Sequence, residues 1–158
     1  MERIHKKEKH GFSDYLYWTM MLAVPTATGL LAVFKHSIWW FVGYTAVIVA
    51  VIVVLMRFFC THCPHYLREE KTLKCMFFWG VPKYFDPRPG PYSLPETTAT
   101  FAACVVLAGF PAYWLLFEPG LLIIYVLSYT VFGLSVKRNE CWRCVHEHCP
   151  VNAAEKAP

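Results

Sequence analysis

Charge is scarce in this 158-residue chain: only 16% of its residues are Asp, Glu, Lys or Arg. A soluble globular domain carries about 25%. The shortage is local. Four stretches, 15–34, 38–56, 97–117 and 120–136, contain no charge at all over 20, 19, 21 and 17 residues. A soluble bundle would need helices with polar faces, and these runs have none. A helix rises about 1.5 Å per residue, so about 20 residues cross a hydrocarbon core of about 30 Å. Backbone groups in lipid must be satisfied within their own segment, so uncharged runs of this length read as spanning helices. The sequence therefore predicts an all-α integral membrane protein, a single membrane domain of four transmembrane helices arranged as two hairpins.

Other absences narrow the function. No Asp, Glu, Lys, Arg or His falls inside the four runs, which disfavours an ion or proton pathway through this chain alone. Without histidines the runs cannot hold a bis-histidine haem, and no Cys-x-x-Cys is followed directly by His, as c-type haem attachment requires. There is no phosphate-binding glycine loop and no hydrolase triad, so no catalytic residue is assigned and an enzyme acting alone is not indicated. Nor is there a helix-turn-helix or an RNA-binding aromatic signature. The formal net charge of +4 is accounted for by basic residues flanking membrane spans, where they meet anionic headgroups, and needs no nucleic acid.

The position of those basic residues sets an orientation. Two hairpins put the N-terminus, the 40-residue loop 57–96 and the tail 137–158 on one side. That side holds 14 of the 15 Lys and Arg residues, with Lys35 alone opposite. Positive loops stay inside, so both termini are expected in the cytoplasm of a cell inner or plasma membrane. The first apolar run is too long for a signal-peptide core, contains Pro25, and lacks a small-x-small cleavage site, so it reads as a retained anchor.

Along the chain, Tyr15, Tyr17 and Trp18 stand where an interfacial aromatic belt belongs, as do Trp39 and Trp40 on the opposite side. Pro25 and Pro111 should kink their helices. Gly29, Gly43 and Gly109 permit close helix approach. Residues 66–79 mix charges with Leu73, Phe77, Phe78 and Trp79, which suggests a short helix lying on the interface. The five prolines in 80–95 forbid regular helix and favour an extended path back to the membrane. The two halves also resemble each other: each runs from a proline-containing span through a short turn and second span to Cys-x-x-Cys-x-His. That pattern raises an internal duplication by parallel repeat.

Six of the seven cysteines fall in the two regions after these hairpins. The first region contains Cys60, Cys63, His65 and Cys75, the second Cys141, Cys144, His146, His148 and Cys149. Cytoplasmic thiols stay reduced, which argues against a disulfide framework. Clustered thiolates suit soft or borderline metals, and Cys-x-x-Cys brings two sulfurs from one turn to one ion. The metal ligands are expected among Cys60, Cys63, His65, Cys75, Cys141, Cys144, His146 and Cys149. Iron–sulfur is favoured by the cysteine excess and by the Cys-Pro pairs at 63–64 and 149–150. Trp79 and Trp142 are candidates to shield such a cluster from water. Zinc is the alternative, with one Cys₃His set per half. A shared site using Cys60, Cys63, Cys141 and Cys144 would instead clamp the hairpins together. His62 is unassigned, while His5, His10 and His36 read as solvated or interfacial. Cys104, alone in the third run, reads as packing. The expected role is a membrane anchor or electron-transfer relay within a larger redox complex. A structural adaptor with zinc-stabilised ends is the alternative.

Overall fold

The computed structural model describes Lys7, residues 9–68, residues 71–145 and Cys149. His146, His148, Pro150, His5, Glu69 and Glu70 lie outside the described residues.

The chain is mostly helical. Its elements are α1 (Phe12–His36), α2 (Ile38–Phe58), α3 (Pro64–Leu67), β1 (Thr72–Lys74), β2 (Trp79–Pro82), α4 (Leu94–Gly109), α5 (Ala112–Leu115) and α6 (Pro119–Asn139). Four helical stretches are long and apolar enough to cross a membrane: α1, α2, α4 with its continuation α5, and α6. Large apolar side chains stand on the outside of this bundle, among them Phe101 at 71% exposure and Leu134 at 64%. Such an outer surface suits lipid rather than water. α1 packs against α6 and α2, and α2 against α4.

The bundle's centre is built around Pro111. Proline lacks an N–H and its ring crowds the carbonyl four residues earlier, so α4 stops at Gly109 and α5 resumes at Ala112. The break leaves carbonyls in need of donors. Tyr44 Oη on α2 donates to the Leu107 carbonyl at 3.2 Å, and Tyr125 Oη on α6 donates to Ala108 at 2.8 Å. Gly29 on α1 lets these pieces meet. A Cβ there would stand 3.2 Å from Pro111 Cγ, and 3.3 Å from both Tyr125 Cε2 and Tyr44 Oη. Gly43 and Gly109 do not act in this way, because a Cβ at either meets nothing within 4 Å. Pro25 stays inside an unbroken α1. At this end of the bundle Lys35 Nζ and Glu118 Oε1 form an ion pair at 2.6 Å.

The loop carries the main correction to the sequence reading. Among the described residues of 66–79 there is no interfacial helix. The helix α3 ends at Leu67, and β1 and β2 pair as a small antiparallel hairpin with Lys74 opposite Trp79. Leu73 is buried beneath it with Met56 and Tyr66, against Phe78, Val81 and Phe85. The apolar residues thus cover a loop core instead of forming one lipid-facing helical face. Residues 83–93 hold no regular element, as their prolines require.

Candidate functional site

Both Cys-x-x-Cys motifs follow directly on helix C-termini and fold alike. Cys60–His62 and Cys141–Arg143 are each a single 3₁₀ turn. The turn starts from Phe59 at φ −106°, ψ −52° in the first, and from Glu140 at φ −102°, ψ −49° in the second. It ends at Cys63 with φ −73°, ψ 136°, and at Cys144 with φ −72°, ψ 134°. In each motif the second cysteine's N–H donates to the first one's carbonyl, at 2.9 and 3.5 Å.

The fold brings thiols of the two motifs into one neighbourhood. Cys60 feels the charge of Cys75 and Cys63. Cys63 in turn feels Cys75, Cys144 and Cys149, and Cys141 feels Cys149 and Cys144. The Tyr92 phenol lies within electrostatic reach of Cys149, Cys63, Cys60 and Cys144 together. Cys60 and Cys63 also pack against the loop core of Met56, Tyr66 and Leu73. That core covers one side of Cys60 and Cys63. Trp79 packs on Phe12 and Tyr15, and Trp142 is 43% exposed.

Burial decides the thiol chemistry. It pushes Cys63 up to about 12, against an opposing N–H from His65, with the neighbouring thiols adding to the rise. Cys75 is raised for the same reason, although the N–H groups of Phe77 and Phe78 favour its thiolate. The Phe78 N–H reaches Cys75 Sγ at 3.3 Å. Such amide donors are of most use to a sulfur that carries charge. Burial also raises the Tyr92 phenol, again with the thiols adding to it.

Among the described residues, no three His, Cys, Asp or Glu side chains are arranged to hold a metal ion. The thiols are neighbours, not a formed ligand set. His65 lies with its ring centroid 4.7 Å from that of His10. His146 is outside the described residues, and Cys104 is exposed on the bundle's outer face.

Two polar groups hold the neighbourhood in place. Around the first motif, His62 is buried with Nδ1 3.3 Å from the Gly90 carbonyl and Nε2 3.3 Å from Glu96 Oε1. Glu96 also accepts from Arg88 at 3.2 Å and from the Ser93 N–H and hydroxyl at 3.0 and 2.6 Å. Tyr92 packs over Phe59 and His62 and donates to the Phe59 carbonyl at 3.2 Å. Beside the second motif, Glu140 is buried and accepts from Trp18 Nε1 at 2.9 Å and from Lys7 Nζ at 3.0 Å. The Lys7 backbone pairs with the motif itself, its N–H donating to Arg143 at 2.8 Å. The His10 side chain is only 7% exposed and lies 3.7 Å from Glu140, so of the two expectations, solvated or interfacial, the first does not hold, and burial lowers its pKa. Trp18, at 2% exposure, belongs to this network and not to an aromatic belt. Of these residues only Glu96 had a local signal, the Ser93-x-x-Glu96 capping box that starts α4.

Four spanning-length helices place the protein in the multi-pass membrane class. No protein-family model, curated protein or solved structure matches the chain.

Proposed function

We propose that this chain is an integral membrane subunit whose cytoplasmic end binds an iron–sulfur cluster through cysteines of both motifs, serving as anchor or electron relay for a larger redox complex. The observation that supports the reading is electrostatic: Cys149, Cys63, Cys60 and Cys144, from both motifs, all act against ionisation of the same Tyr92 phenol. Half-buried thiols near one another in a reducing compartment have no evident task as thiols. Bound to a cation they lose their protons, and the cost of burying thiolates is offset by coordination. The donor set is sulfur-rich, with His65 turned toward His10, which suits iron–sulfur better than a Cys₃His zinc site. The cluster would supply one-electron chemistry. The chain's own part is to hold the sulfurs, provide amide donors to Cys63 and Cys75, and cover one side of Cys60 and Cys63 with Met56, Tyr66 and Leu73. The cytoplasmic assignment rests on the basic residues that crowd this side of the chain. The matching motif turns are in keeping with an internal duplication of the two hairpins.

Zinc is the second reading, favoured by those same turns, each shaped to offer two sulfurs to one ion. It makes the protein a structural adaptor. Metal and acid-labile sulfide analysis of protein purified without oxygen tests both readings. Iron with matching sulfide and absorption near ~400 nm, lost in C63S/C144S, is the expected result. Zinc without sulfide selects the adaptor, and metal-free protein overturns both.

A further inference from the structure

One irregular segment lies along the first cysteine motif. Residues 83–93 lead from β2 to α4 without regular structure, and they run opposite in direction to residues 59–68. Lys83 Nζ donates to the Arg68 carbonyl. Tyr66 Oη donates to the Phe85 carbonyl at 2.6 Å and accepts the Phe85 N–H at 3.0 Å. The Arg88 N–H donates to the Thr61 carbonyl at 3.0 Å, inside the cysteine turn. The Gly90 carbonyl lies 3.3 Å from His62 Nδ1, and Tyr92 Oη donates to the Phe59 carbonyl at 3.2 Å.

These ties differ in kind from a sheet. Of those named, only the Arg88 bond joins backbone to backbone. Pro87, Pro89 and Pro91 have no N–H to offer, so the segment cannot build a ladder on the motif. Each remaining tie is a separate side-chain latch, and releasing it breaks no helix or strand. Segments held in this way open at low cost. Gly90 stands just before α4 with φ 138°, a conformation that favours glycine. A Cβ there would meet nothing within 4 Å, so the glycine is needed for its backbone freedom and not for space. The outer face of the segment is open, with residues 86–91 exposed. Its inner face carries Phe85, which packs on the Met56, Tyr66 and Leu73 core that also takes Cys60 and Cys63.

We propose that residues 83–92 are a lid over the first cysteine turn, latched by Tyr66 and Tyr92 and pivoting at Gly90, which lifts to admit a ligand from water to Cys60 and Cys63. That this ligand is a metal or a cluster rests on the function proposed above, whereas the lid itself does not.

The test is thiol access in the full chain, reduced and metal-free, in phosphatidylcholine nanodiscs. A charged maleimide is applied in timed pulses, and mass spectrometry of the digest gives a rate for each cysteine. Tyr66→Phe and Tyr92→Phe keep their rings and lose their latches. Together they should speed labelling of Cys60 and Cys63 at least about tenfold, the combined worth of such bonds. Gly90→Ala, strained in the closed conformation, should speed it as well. Cys75 and Cys141 should keep their wild-type rates. Unchanged rates at Cys60 and Cys63 in the double variant and in Gly90→Ala overturn the lid. An equal rise at Cys75 and Cys141 marks general loosening and overturns it too. Ferrous iron with sulfide, and separately zinc, is then supplied to the same samples. Faster uptake in the variants ties the lid to the metal site. No uptake of either, with the labelling pattern intact, overturns the proposed function while the lid stands.

Discussion

Trp18 Nε1 donates to Glu140 Oε1 at 2.9 Å, joining the first spanning helix to the residue that begins the second cysteine turn. Both partners are buried. The bond is charge-assisted, and the same oxygen takes Lys7 at 3.0 Å. The second motif is thus held by α1 and by the segment before it.

Trp18→Phe removes the donor and keeps most of the ring volume. It should cost about 2 kcal/mol, the usual worth of a hydrogen bond to a charged group. Glu140→Gln keeps an acceptor for Trp18 but loses the attraction to Lys7, and should cost less. Thermal unfolding in detergent measures both. Equal stability of W18F and wild type would show that the bond does not hold the motif.

At Pro111 two carbonyls depend on tyrosine hydroxyls. Tyr44→Phe and Tyr125→Phe should each lose about 1 kcal/mol, near the upper range for hydrogen bonds between membrane helices. Pro111→Ala restores an N–H for the Leu107 carbonyl. It should therefore be better tolerated in the Y44F background than in wild type. A double-mutant cycle in detergent reads this coupling, and strict additivity would count against the tyrosines' role as donors to the broken helix.

The thiols predict an alkaline dependence for metal-free protein. Burial raises Cys63 to about 12 from an ordinary value of 9.0. The folded state therefore prefers the protonated thiol. Its contribution is complete below about pH 9 and is lost as pH rises from there toward 12. Melting temperature should fall across that window, and less so in Cys63→Ala. Metal reverses the sign, because bound sulfurs have already lost their protons, and retention then weakens toward acid. An alkaline melting profile identical in wild type and C63A would falsify the assignment of buried neutral thiols.

The four apolar stretches were legible because a run of about twenty uncharged residues is a local signal that no tertiary contact needs to complete. The cysteine turns were legible as motifs for the same reason. The loop was misread because the apolar residues of 66–79 give no clean period. Leu73 and Phe78 turn into a loop core while Trp79 turns outward to α1. Only the partner surfaces decide between a hairpin and an interfacial helix there. His10 stands between Lys9 and Gly11, with no apolar period around it. Its burial depends on Glu140 and His65, far away in sequence, and nothing near position 10 announces them. Trp18 failed likewise: an aromatic at a span's edge is usually interfacial, and its buried acceptor lies near the opposite end of the chain. The glycines divide by what stands across from them, which spacing alone does not reveal.

Both cysteine turns begin where a long helix, α2 or α6, ends. A helix carries roughly half a negative charge at its C-terminus, so two such ends border the same thiols. The surroundings resist added negative charge and welcome a cation. For a redox centre in that place, each arriving electron would meet an opposing field. The two helix ends would lower the reduction potential of any redox centre held there.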